Sequence, residues 1–250
     1  MANPMEQFEV TRVGPPLGAM GYDVSFTNSS LWMMIALIGV AAFLFIGTAS
    51  PKLVPNRAQA AVEYLYDFVR KILDENVGPE GRRFVPLIFS LFIFVLACNL
   101  LGLIPWVGAF TPTSHIAVTF GLAILVFVIV CIVGFARHGL HFFALFWPKG
   151  VNPALGLFVA AIEFLSFLSR PFTLAIRLFA NMTAGHVLLK VFGTFVVALG
   201  SFGALPYVLG VVPLAVNVAL SALEVLIAVV QAYVFALLAS IYLNDAINLH

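Results

Sequence analysis

The sequence predicts an all-α polytopic membrane protein: a single membrane domain with about five membrane helices and one interfacial amphipathic helix. Three observations predict it. The first is composition. Of 250 residues, 62% are hydrophobic and 9% are charged, whereas soluble domains carry about 25% charged residues. The second is that the apolar residues gather in five long runs, each able to cross a bilayer. The third is a charged stretch after the first run whose apolar residues recur at helical spacing.

Composition also excludes several functions. The net charge is +1, so no basic field points to nucleic acid. Cys98 and Cys131 both lie inside apolar runs. They read as small buried hydrophobes, not as a disulfide or a metal pair. No Walker-type phosphate loop is present, and no cofactor or metal site is expected.

Residues 1–28 contain Pro4, Pro15, Pro16 and several glycines and predict an extended arm. They are polar or mixed, with Arg12 as their only base and no short apolar core, so no signal peptide is expected. The first span covers 29–49, with Asn28, Ser29 and Ser30 able to cap its start. Residues 50–83 hold six of the 12 Lys and Arg: Lys52, Arg57, Arg70, Lys71, Arg82 and Arg83. Within them, Val62, Leu65, Tyr66, Val69, Ile72 and Leu73 fall on one side of a helix. Glu63, Asp67, Arg70, Lys71 and Asp74 fall largely on the other. This is a helix lying on the membrane, or a short soluble helix packed on other subunits. Its bases place it on the cytoplasmic side and the arm outside.

Residues 84–106 form the second span, with Asn99 inside it and Trp106 at an interface. The loop 107–114 is then outside. Residues 116–137 return inward, ending on Arg137, with His138, His141 and Lys149 after it. The two histidines lack acidic or Cys companions and read as interfacial. Two nearly unbroken apolar runs follow, 152–199 and 206–243. A straight helix of about 45 residues is roughly 67 Å long, more than twice the ~30 Å hydrocarbon core. Either each run breaks into two spans or each is one long, steeply tilted helix. Pro171 does not decide this, because membrane helices tolerate proline. With Gly200 to Leu205 as a turn, the runs form a hairpin and the C-terminus is cytoplasmic.

Polar groups punctuate the hairpin. Arg177 lies among Leu174, Ala175, Ile176, Leu178, Phe179 and Ala180. A charge at that depth costs about 2.5–3.5 kcal/mol on insertion scales, and arginine cannot shed its proton. Glu163, Arg170 and Arg177 are spaced by seven, which places them on one helical stripe. Ser166, Thr173 and Asn181 lie close to it, while His186 points away. On the second run, Asn217, Glu224 and Gln231 repeat the spacing, with Ser221 beside them. Antiparallel packing brings Glu224 near His186. Ser166, Thr173 and Ser221 suit plain helix–helix hydrogen bonding, and Lys190 can snorkel. Glu163, Glu224 and His186 are proton-exchanging groups, and chains of such groups in membranes mark proton paths. The spacing therefore suggests two half-paths, Glu163 inside and His186 outside, with Arg177 as a barrier. No carboxylate of this chain is placed to pair with Arg177 permanently.

These residues resemble subunit a of the F-type ATP synthase membrane sector. The resemblance is carried by SRPFTLAIRLFANMTAGH at 169–186, LEVLIAVVQAYVFALLASIYL at 223–243, and VPLIFSLFIF with NLLGLIPW across 85–106. It extends over nearly the whole chain from about residue 25. It implies a stator subunit beside a rotating ring of c subunits, with peripheral-stalk b-type subunits and the remainder of the complex as further partners. H+ would be the transported ion and the bilayer the surroundings. It implies that the two long helices are steeply tilted along the ring, and that Arg177 is the essential cation meeting the c-ring carboxylate. Asn181, His186, Asn217, Glu224 and Gln231 would belong to the proton inlet; Glu163, Ser166 and Arg170 to the outlet. Many bacterial members carry an acid where this chain has His186 and a histidine where it has Glu224. The exchange here resembles mitochondrial forms and implies a bacterial inner membrane, with the mitochondrial inner membrane as the alternative location. Nucleotide chemistry would lie in other subunits. A stand-alone proton-coupled secondary transporter is the competing function, but residues 31–136 and 152–243 show no convincing repeat.

Overall fold

The computed structural model describes residues 9–13, 18–19, 22–23, 25–104, 110–147, 153–200 and 204–248. Six α-helices dominate: α1 Asn28–Thr48, α2 Arg57–Asn76, α3 Val85–Leu101, α4 Ile116–His138, α5 Pro153–Gly200 and α6 Ala204–Ile247. All but α2 are long and apolar enough to cross a membrane. The protein is a multi-pass membrane protein of the all-α class.

α5 and α6 run unbroken for 48 and 44 residues, passing Pro171 and Pro213 without interruption. This resolves the choice between one helix and two. A break inside hydrocarbon would leave backbone N–H and C=O groups with no water to bond, so continuity is the cheaper solution. Trp106, Lys149 and the arm prolines Pro4, Pro15 and Pro16 lie outside the described residues.

Packing sorts the chain into two compact units. The first comprises Met1–Phe45, Ile93–His115 and Leu178–Ala232. Here the described residues of the arm include one short strand pair. Gly18–Ala19 pairs antiparallel with Tyr22–Asp23, and Val13 N donates to Phe26 O at 2.8 Å. The cap of α1 is Thr27, whose Oγ1 accepts from Ser30 N at 3.3 Å. Asn28, expected in that role, ties down the arm instead. Its Oδ1 accepts from Thr11 N and its Nδ2 donates to Glu9 O at 3.0 Å.

The second unit comprises Ile46–Phe92, Ile116–Arg177 and Tyr233–His250. α2 begins at Asn56, whose Oδ1 accepts from Gln59 N at 2.8 Å. It ends where Val77 N and Gly78 N both bond Leu73 O. Gly78 then takes φ +79° and ψ −161°, a region open to glycine but to few residues with a Cβ. Much of the apolar stripe of α2 is covered by this unit, while Tyr66 stays exposed. Val62, Val69, Ile72 and Leu73 are buried, and Phe68 packs against Phe92 and Tyr233. Gly47 lets α2 approach closely, since a Cβ there would lie 2.6 Å from Val62 Cγ2. A cluster of Phe127, Phe142, Phe146 and Phe167 joins α4 to α5. His138 reaches the end of α6, with Nε2 3.1 Å from Ile247 O. Arg137 pairs with Glu80.

Candidate functional site

In the first unit, α5 and α6 pack antiparallel and match their polar residues. Asn181 Nδ2 donates to Gln231 Oε1 at 2.8 Å. His186 Nδ1 stands 3.4 Å from Glu224 Oε1. The seven-residue spacing of Glu224 and Gln231 therefore meets the five-residue spacing of Asn181 and His186 across the helix pair. Glu224 is only 2% exposed, and Gly185 makes its place. A Cβ on that glycine would lie 2.7 Å from Glu224 Oε1.

The pair is close without being hydrogen-bonded. At 3.4 Å the ring nitrogen and the carboxylate attract, yet neither Glu224 oxygen has a hydrogen-bond partner among the described residues. Gln231 Nε2 and Asn217 Oδ1 are likewise buried without one. Buried polar atoms are normally satisfied, so each of these calls for an explanation. Four such atoms thus lie on three residues of one helix, spaced by seven.

The other ring nitrogen of His186, Nε2, lies 2.7 Å from Thr111 Oγ1. Thr111 belongs to the segment expected to be an outside loop, but Phe110 to Ser114 are all buried. The reason is hydrogen bonding. Thr113 Oγ1 donates to Asn99 Oδ1 at 2.7 Å, and Asn99 Nδ2 donates to Ala228 O at 3.2 Å. Thr183 Oγ1 donates to Ser114 O at 3.4 Å. Glycine at 102 is required for this approach, because a Cβ there would collide with Thr111 Oγ1.

In the second unit, Arg170 Nη1 donates to Asp245 Oδ2 at 2.7 Å, with both side chains about one-fifth exposed. Its guanidinium also lies over the rings of Tyr242 and Phe167, at 4.9 and 5.3 Å. Arg170 is thus neutralised inside its own chain, by a residue the spacing analysis did not single out. Phe167, Pro171, Leu174 and Ala175 form the buried face of this part of α5. Ser166, Thr173 and Arg177 are exposed. Arg177 forms no ion pair or hydrogen bond among the described residues, although Tyr242 lies within electrostatic reach of it. Glu163 is half-buried and, among the described residues, pairs with neither arginine. Among the described residues the Ser166 side chain forms no hydrogen bond to either, and its carbonyl accepts from Ser169 Oγ at 2.7 Å.

Asp245 and Thr111 were missed for different reasons. Asp245 stands close to the chain end, where a charge passes for a solvated terminus. Thr111 sits in a short Pro-containing connection that the topology places outside and that has no periodicity to show its packing.

Comparison with known proteins places the chain in a family. The family described as "ATP synthase A chain" matches residues 30–244. A protein of Mesorhizobium japonicum named "ATP synthase subunit a" is 52% identical, covering 98% of this chain and 96% of that protein. Proteins of the same name from Paramagnetospirillum magneticum and Pelagibacter ubique are 50% and 48% identical, with coverage of 98% or more on both sides. With half its residues shared across its full length, this chain belongs to the ATP synthase subunit a family.

Proposed function

We propose that this chain is the stator subunit of the F-type ATP synthase membrane sector, giving protons two half-channels to a rotating ring of c subunits. The observation that carries the reading is Arg177. It is exposed and unpaired among the described residues, in the middle of a helix apolar enough to span a bilayer. Seven residues earlier, Arg170 has Asp245. A permanent cation at that depth needs an anion, and a carboxylate carried past by a c subunit supplies one. The ion pair forms when a deprotonated carboxylate arrives and breaks when the carboxylate is protonated again.

In this reading protons enter through Asn181, His186, Asn217, Glu224 and Gln231. The imidazole and carboxylate hand the proton on, while the two amides hold the path between them. Protons leave through Glu163 and Ser166, with Arg170 beside them. Arg177 separates the two paths, since its charge repels any proton moving directly between them. The apolar parts of α5 and α6, 45 and 38 residues long, exceed a ~30 Å core by roughly twofold. Steep tilt keeps both in hydrocarbon and lays their exposed face along a ring. The charge-rich segment around α2 faces the cytoplasm and the arm the periplasm, in a bacterial inner membrane. Peripheral-stalk b-type subunits hold the chain against the torque of the ring. Nucleotide chemistry belongs to other subunits.

The test is Arg177→Ala in the assembled complex, assayed in inverted membrane vesicles. Loss of ATP-driven acidification with normal assembly is expected. Acidification at the wild-type rate would refute the reading.

A further inference from the structure

The segment between α3 and α4 has no part in the paths just described, yet it touches their central histidine. Thr111 is 4% exposed. It is held from two sides: Ser114 Oγ donates to Thr111 O at 2.7 Å, and two residues on Thr113 is fixed to Asn99 on α3. Its hydroxyl lies 2.7 Å from His186 Nε2, while His186 Nδ1 stands 3.4 Å from Glu224 Oε1. The two ring nitrogens therefore face two different elements, and the ring cannot turn without leaving both.

We propose that Thr111 is a positioning residue of the His186–Glu224 pair, its hydroxyl holding the imidazole through Nε2 so that Nδ1 faces the carboxylate. The chemistry suits a hydroxyl in particular. A threonine O–H both donates and accepts. It donates to a bare Nε2 and accepts from a protonated one, so it follows the ring through its protonation states without moving. Among the described residues, the charged groups near the ring include Glu224 on α6 and Lys190 on its own helix. Thr111 adds no charge to them and acts by orientation alone. Gly102, which leaves room for the hydroxyl, serves the same end.

The proposal rests on the proton-inlet reading, so the test separates the two. Thr111→Val, Thr111→Ser and His186→Ala, and the double variant Thr111→Val/His186→Ala, are made in the whole ATP synthase. ATP-driven acidification is compared at equal amounts of assembled complex. Loss of one such hydrogen bond predicts roughly three- to tenfold slower acidification for Thr111→Val, with Thr111→Ser within about twofold of wild type. Thr111→Ala, which also lacks the hydroxyl, repeats the test if valine lowers assembly. In the His186→Ala background, Thr111→Val should slow acidification no further. A wild-type rate in both hydroxyl-free variants, a serine variant as slow as valine, or the same fold loss without His186 would each overturn the proposal. If His186→Ala itself acidifies at the wild-type rate, the inlet reading falls, and this assignment with it.

Discussion

Glu224 sits over Gly185, where a side chain would come within 2.7 Å of its Oε1 and 3.0 Å of its Cδ. The backbone of α5 is thus the floor on which the carboxylate rests beside His186. Gly185→Ala should push Glu224 away from the ring and slow proton flux several-fold, with near-normal subunit levels. Gly193 lies on the same helix, and a Cβ added there would meet nothing within 4 Å. It is the control, and Gly193→Ala should pump at the wild-type rate. Equal rates in both variants would show that the Glu224 placement does not matter. At this scale the sequence is informative wherever a polar residue interrupts an apolar helix. Such a residue is costly in lipid and so must be explained, and periodicity then gives its face. That reasoning brings His186 to Glu224. It does not reach Thr111 or Asn99, whose partners lie on elements with no periodic relation to them.

Among the elements, α5 and α6 are joined in the second unit by the Arg170–Asp245 pair, 2.7 Å apart and largely shielded from solvent. Such a pair lies between exposed pairs, worth little, and buried ones, whose halves are costly to separate. Arg170→Gln or Asp245→Asn alone should destabilise the detergent-solubilised complex by ~1–3 kcal/mol. The double variant should lose less than the sum of the two, because each single change strands a partly buried charge. Strict additivity in thermal unfolding would show that the pair contributes no coupling. The long helices also mark where reading the sequence stops. Hydropathy locates both apolar runs but leaves open whether each bends, since Pro171 and Pro213 are compatible with either outcome. α2 is legible as an amphipathic helix, yet which surface covers its stripe depends on Phe92 and Tyr233, distant in sequence.

For the whole molecule, family membership and the five spanning helices agree: the family match covers residues 30–244, from the first turn of α1 to the last turn of α6. Each of the two compact units carries its own part of α5 and α6. One holds the His186–Glu224 pair and the other Arg177. The chain supplies Arg177 with no anion of its own among the described residues, so the central claim is that a c subunit supplies it. The most direct measurement is disulfide cross-linking in native membranes. A cysteine at Thr173, one turn from Arg177 and exposed like it, is paired with one placed a turn from the membrane carboxylate of the c subunit. Cys98 and Cys131 are first replaced by alanine. Oxidation should join the two subunits and stop ATP-driven acidification until the bond is reduced. No cross-link from Thr173→Cys, with one from Ile46→Cys on α1 instead, would contradict the account.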